Sequence, residues 1–306
     1  MYKNESQRLV EATALDQKIW IDLYAPTKEE VDNVVEMTGV QRDFLTSVLD
    51  AEESSRIDIE DDQMLIVINV AVRQDETTTQ FRTIPLGIVI LRDYIITVSL
   101  EELDCLNKFR LLGNRIVNVE KQAKFTLQMI YQVTALYLRH LNSLNAKTDQ
   151  IEDALYDNME DELFIDLLKI EKTLVYFRNS LSSNKSVVDK LFRSSYLTLY
   201  EQDENLLDDI NIELIQAMEM SETSAAIIRS IRDGIASLMS NKLNVTMQAL
   251  AAITIIMTIP TMVFSFYGMN VNLGDTGFEY YAVAIIAVTS VITLIVYFIM
   301  RNRKFF

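Results

Sequence analysis

No charged residue occurs between Lys242 and Asp275, and none occurs between Glu279 and Arg301. Charges are dense in the chain before Lys242. A helix needs about 20 apolar residues to cross the hydrocarbon core of a bilayer, and each gap is long enough. The pattern predicts membrane helices over residues 245–266 and 281–300, an intervening loop at 267–280, and a basic tail at 301–306. Two such runs in succession argue against a buried core helix. Basic residues set the orientation. Arg229, Arg232 and Lys242 precede the first run and Arg301, Arg303 and Lys304 follow the second, whereas the loop carries only Asp275 and Glu279. The positive-inside rule then places both chain ends in the cytoplasm and the loop outside. The expectation is a multi-pass protein of the cell membrane, with the lipid bilayer as its first partner.

The rest of the composition removes function classes. A formal net charge of −16 excludes a nucleic-acid partner, because phosphates need a basic face. The lone cysteine, Cys105, excludes an internal disulfide framework and fits a reducing compartment. The lone histidine, His140, excludes a His-rich zinc site or a Ser–His–Asp triad. There is no G-x-x-x-x-G-K-[ST] phosphate loop for an ATP-driven pump. No nucleophile, base and ligand stand in a recognisable pattern, so the chain reads as a non-enzyme without an organic cofactor. The polar start, "MYKNESQRLVEATALDQK", predicts no secretory signal peptide.

Before the apolar runs the hydrophobic period changes. "KIWIDLYAP" (18–26) alternates like a strand, and "TKEEVDNVVEMTG" (27–39) reads as a helix capped by Thr27 and Glu30 and closed by Gly39. "SRIDIEDDQMLIVINVAV" and "TTQFRTIPLGIVILRDYIITVSL" read as strands of a sheet. From about Val119 the pattern is helical, with two long helices joined near Asn158 and a third beginning near Glu201. That third helix meets no proline before Pro260, so it predicts a rod of about 90 Å at ~1.5 Å per residue. Its apolar stripe cannot be buried alone over that length, which implies bundling or oligomerisation. The predicted class is an α/β cytoplasmic domain over residues 1–200, a long α-helical stalk over 201–244, and two C-terminal transmembrane helices. Trp20, Cys105 and His140 read as core and buried-helix residues.

Two features are candidates for function. Steps of three and four from Asn244 reach Met247, Ala251, Thr254, Thr258, Thr261 and Ser265, and five of these seven positions are polar. Polar groups in a membrane helix face water or protein. The row therefore fits a pore lining and fits interhelical packing equally well. Acidic residues also cluster, among them Asp50, Glu52 and Glu53, and Asp208 and Asp209. Most read as solvated faces. Carboxylates brought together between subunits would repel unless a cation sat among them.

"YGMN" (267–270) closes the first apolar run, and with "WIDLYAPTKEE" (20–30), "DQIEDALYD" (149–157), "LLKIEKTLVYFRNSLSSNKSVVDKL" (167–191) and "SNKLNVTM" (240–247) it resembles the CorA family of magnesium channels. The Gly268-Met269-Asn270 tripeptide is that family's signature. The resemblance covers most of the chain and implies a funnel-shaped homopentamer in which the first span lines one central pore. It places Asn244, Met247, Leu250, Thr258, Thr261, Ser265 and Asn270 at the pore, and Thr254 falls on the same row. Asn270 would offer a neutral oxygen to a hydrated ion, since Mg2+ gives up its water reluctantly. A carboxylate ring would release the ion too slowly for conduction. Met247 and Leu250 would form a hydrophobic constriction. Asp275 and Glu279 would raise the local cation concentration, or are ordinary loop solvation. Pro260 should kink or loosen the helix. The resemblance further implies an intersubunit Mg2+ sensor at Asp209, whose family partner position is Ser47 here. Asp50, Glu52 or Glu53 would substitute for it, with Asp208 beside Asp209. Mg2+ is thus expected as both transported and regulatory ion. The expected function is passive, membrane-potential-driven Mg2+ uptake gated by intracellular Mg2+, with Co2+ and Ni2+ as further cargo. A zinc transporter of the same superfamily and a two-span sensor or scaffold without a pore are the alternatives.

Overall fold

The computed structural model describes residues 1–5, 8–11, 18–74, 79–111, 118–157, 161–193, 201–269 and 278–302. Asn270, Asp275, Arg303, Lys304 and the expected joint at Asn158 lie outside them. The strands are β1 (Tyr2–Glu5), β2 (Arg8–Glu11), β3 (Ile19–Tyr24), β4 (Arg56–Glu60), β5 (Gln63–Arg73), β6 (Phe81–Ile90) and β7 (Tyr94–Ser99). The helices are α1 (Lys28–Thr38), α2 (Arg42–Thr46), α3 (Asp104–Leu111), α4 (Gln122–Asp157), α5 (Asp161–Arg193), α6 (Glu201–Tyr267) and α7 (Phe278–Asn302). The chain divides into two units, Met1–Arg229 and Ser230–Phe306.

In the first unit the seven strands form one sheet in the order β2-β1-β3-β7-β6-β5-β4, antiparallel except for the parallel β3–β7 pair. β5 and β6 are nearly continuous apolar runs because the sheet is covered on both faces. On one face Val31 and Val34 of α1, Phe44 and Leu45 of α2 and Val48 pack on Ile19, Leu65, Val67, Val89, Ile96 and Val98. On the other, α3, α4 and α5 bring Phe109, Phe125, Tyr137 and Phe177, all buried. Trp20, fully buried, stands edge-on to Phe109 and Phe125 at 6.5 and 5.3 Å between ring centroids.

Local chemistry agrees with this packing. Thr27 and Glu30 form a reciprocal capping box, and Gly39 ends α1 at φ 68, where a side chain would be strained. Asp61 and Asp62, both at positive φ, are the two-residue turn between β4 and β5. Two positive φ values are what a twist-matched hairpin of this length requires, and aspartate tolerates them. These two members of an acidic cluster are therefore turn formers. Beyond the end of β4, the Asn184 side chain of α5 takes over the ladder. Its Oδ1 accepts from Asn69 N–H and its Nδ2 donates to Asn69 C=O, both at 2.8 Å.

Gly87 of β6 sits directly under the short 3-10 turn Ser47–Leu49, and a Cβ built there would lie 2.5 Å from Val48 Cγ2. Valine is stiff about χ1, so the contact cannot be relieved cheaply. Gly87→Ala is expected to destabilise this unit by ~1–3 kcal/mol, read as a lowered melting temperature of the purified protein.

The structure corrects one reading from sequence and adds detail to two others. The polar start contains the β1–β2 hairpin at one sheet edge, where strands are short and charged as a defence against unwanted pairing. Cys105 is buried as expected, but His140 is only half-buried. α6 continues as helix through Pro260.

In the second unit, α7 and the α6 residues beyond Arg229 contain two stretches long and apolar enough to cross a membrane, and nearly all of that surface is exposed.

Candidate functional site

The candidate conduction path is one face of α6. Covered or half-covered residues of its apolar stretch are Ala249, Ala252, Ile256, Ile259, Pro260 and Val263. In α7 they are Ala282, Ile285, Thr289, Thr293, Val296, Tyr297 and Met300. Both sets advance mostly in steps of three and four, so the covered residues of each helix fall on a single row. The predicted polar row lies elsewhere. Asn244, Thr254, Thr258, Thr261 and Ser265 are all exposed, as are Met247 at 61% and Leu250 at 64%. At ~100° per residue, the row from Met247 to Ser265 is about 170° from the covered row of the same helix. A shallow groove between Thr254, Thr258, Thr261 and Ser265 runs along it.

The hydroxyls on this row have a defined polarity. Thr254 Oγ1 donates to Leu250 C=O at 2.9 Å, Thr258 Oγ1 to Thr254 C=O at 2.7 Å, and Thr261 Oγ1 to Met257 C=O at 2.8 Å. Each hydroxyl hydrogen is thereby used within the helix, and what faces outward is oxygen lone pairs. These three threonines accept hydrogen bonds from the water shell of a cation and offer none to an anion. Thr289 and Thr293 of α7 bond their own backbone in the same way but lie on its covered row.

At the end of α6, Gly268 N–H donates to Phe264 C=O at 2.8 Å and Met269 N–H reaches Phe266 C=O at 3.4 Å. Gly268 does not adopt a positive φ. A Cβ there would lie 3.2 Å from Phe264 O, so crowding against the last helical turn is what favours glycine. Glu279 falls in the first turn of α7.

The expected regulatory residues lie in the first unit. Asp50 ends the 3-10 turn, and its Oδ1 accepts from Glu52 N–H at 3.0 Å. Glu53 is paired with the Arg56 guanidinium, so a cation there would have to compete with it. Asp208 and Asp209 are exposed on α6. Nearby on α4, the Tyr131 hydroxyl is pushed above its usual pKa by its hydrogen bond to Glu213, then by burial and by the charges of Glu213 and Asp209. Among the described residues of a single chain, no three His, Cys, Asp or Glu side chains gather as a metal site. Sequence reasoning missed the Asp22–Arg110 ion pair, buried at 3% and 12% side-chain exposure. A strand and a helix nearly ninety positions apart supply it, so no spacing rule could find it.

A family model described as "CorA-like Mg2+ transporter protein" matches residues 16–302. The chain is 29% identical to the cobalt/magnesium transport protein CorA of Methanocaldococcus jannaschii over 257 residues, which is 82% of this chain and 80% of that protein. The complete structure of the CorA magnesium transporter of the same organism superposes with a TM-score of 0.84 at 24% identity, covering 96% of this chain and 93% of that one. The cytoplasmic domain of ZntB from Vibrio parahaemolyticus superposes with a TM-score of 0.64 at 11% identity, covering 78% and 97%.

Proposed function

The chain belongs to the CorA-like Mg2+ transporter family, and from that premise we propose that five copies surround one pore lined by α6 and admit Mg2+ passively. The observation that carries this reading is the exposed row of lone-pair oxygens on the α6 face turned away from its covered row. Such a row is left for copies of the same helix to close around. Asn244, Thr254, Thr258, Thr261 and Ser265 then line the path with neutral acceptors, and Met247 and Leu250 form its apolar constriction. Gly268, Met269 and Asn270 form its outer mouth, with Asp275 and Glu279 drawing cations toward it.

Both chain ends are cytoplasmic in this reading, and the membrane potential drives uptake. A dication gains ~4.6 kcal/mol at 100 mV negative inside, twice ~2.3 per charge. Cytoplasmic Mg2+ closes the pore by bridging Asp209, with Asp208, to Asp50, Glu52 and Glu53 of an adjoining copy. Ligands divided between copies are consistent with the absence of a three-carboxylate cluster among the described residues of one chain. Loss of the bridging ion shifts the population to the open state.

The test is flux into liposomes containing the purified protein, with Mg2+, Co2+, Ni2+ and Zn2+ compared under an imposed potential. Mg2+ entry that rises with inside-negative potential is expected, with Co2+ and Ni2+ following and Zn2+ excluded. Zn2+ as the preferred ion sinks the magnesium assignment, and no flux of any ion sinks the pore.

A further inference from the structure

In a chain of net charge −16, one cleft of the first unit is basic. It measures about 320 Å3, and among the described residues its charged lining is Arg73, Lys147, Lys169 and Asp166, three cations against one carboxylate. Arg73 ends β5, Lys147 stands on α4, and Asp166 and Lys169 stand on α5. Asp166 is shared between two ammoniums, Lys147 Nζ to Oδ2 at 3.1 Å and Lys169 Nζ to Oδ1 at 3.2 Å. Each ammonium has three donors and uses one on this carboxylate. Burial works against ionisation of Asp166, but the two lysines outweigh it and hold its pKa below the usual value. His140, in ring contact with Phe81 of the same lining, adds no charge at neutral pH. Burial first, then Arg139, push its pKa down to about 4, and Arg73 acts in the same direction.

A second observation is independent of charge. Gln80 also lines the cleft, and its Nε2 is buried with no hydrogen-bond partner. Its backbone is fixed, with N–H donating to Thr173 Oγ1 at 3.3 Å and C=O accepting from Gln74 N–H at 3.0 Å. A buried donor without a partner costs free energy unless a ligand or water accepts from it. Gln74 and Thr79 also line an adjoining cleft of about 360 Å3, which brings Arg82 and Lys172. The adjoining cleft thus adds Lys172, and Arg82 in its ion pair with Glu101, to the basic groups of the first.

We propose that this basic cleft binds a polyphosphate anion, either free pyrophosphate or the phosphate tail of a nucleotide, between Lys147, Lys169 and the Gln80 carboxamide. Lysine suits phosphate as a compact point charge with rotatable donors, and the tetrahedral anion supplies acceptors to ammonium and amide together. The site lies in the first unit and is independent of ion conduction.

The experiment is calorimetric titration of the purified full-length protein, free of Mg2+ and at fixed ionic strength, with pyrophosphate, ATP and citrate. Pyrophosphate and ATP are expected to bind at one per chain, more weakly as salt is raised, and citrate far less. Lys147→Gln with Lys169→Gln is expected to weaken binding at least ~10-fold, the worth of charge-assisted hydrogen bonds. Because that pair also strips Asp166 of its partners, Gln80→Leu serves as a second variant. It leaves the ion pairs in place and is expected to weaken binding several-fold, and melting curves report folding of both variants. No binding to the native chain overturns the proposal, as does unchanged affinity in folded variants or citrate binding as tightly as pyrophosphate. ATP binding without pyrophosphate overturns the phosphate reading.

Discussion

Asn270→Ala is expected to reduce Mg2+ uptake at least ~10-fold, because the proposed five-fold pore would lose five carboxamides that accept from the ion's water shell. Alanine removes the whole carboxamide, acceptor oxygen and NH2 donors together, and adds no bulk. In the proposed pore the deleted ring would stand at the mouth, where a hydrated Mg2+ is first recognised, since Mg2+ gives up its water reluctantly. α6 reaches Tyr267, and the turn at Gly268 and Met269 leads directly to this residue. The check is growth of a bacterium lacking its own magnesium uptake, at limiting Mg2+, with the native chain or the variant at equal membrane abundance. Rescue by the native chain alone is expected. Equal rescue by both removes Asn270 from the mouth, and rescue by neither removes magnesium uptake.

Trp20→Ala is expected to destabilise the first unit by ~3–5 kcal/mol. Trp20 is fully buried, and its indole N–H donates to Thr97 Oγ1 at 2.9 Å. Thr97 in turn donates to Asp22 Oδ1 at 2.7 Å, and Asp22 is held by Arg110, whose Nε lies 2.8 Å from Oδ2. Arg110 also bonds Glu102 at 2.8 Å and Asn107 at 2.7 Å and lies over the Tyr24 ring. Truncation therefore opens a cavity beside Phe109 and Phe125 and removes the donor at the head of a buried chain of polar groups. For a unit of this size the expected fall in melting temperature is on the order of 10 °C. Trp20→Phe keeps much of the volume and should recover more than half of the loss. A fall no larger than that of an exposed substitution, such as Met37→Ala, would show that Trp20 does not hold the sheet to α3 and α4.

Local sequence chemistry carried far in this protein. The α1 helix was readable from Thr27, Glu30 and Gly39, because a capping box and a left-handed terminal glycine are satisfied within a few residues. The spans were readable from the charge gaps, because the free energy of placing a charge in hydrocarbon is decided residue by residue. The β1–β2 hairpin was hidden because four-residue edge strands carry charges and almost no periodic signal. The Asp22–Arg110 pair and the basic cleft were hidden because each joins side chains from elements far apart in sequence.

The polar row of α6 separates the two kinds of information. Its period of three and four was written in the chain, but period alone left pore lining and helix packing equal. The tertiary structure put Ala252 and its neighbours on the covered row and left Thr254, Thr258, Thr261 and Ser265 exposed on the opposite face. By itself, the sequence determined that two helices are apolar enough to span a membrane, that several segments are strands, and where α1 begins and ends. Only the tertiary structure decided which face of each helix is covered, which direction each hydroxyl points, and which distant charges meet. The physical reason is that propensity, capping and transfer free energy act over a few residues. Burial of a face, the pairing of a buried ion and the filling of a cleft are set by groups that the chain brings together only when it has folded.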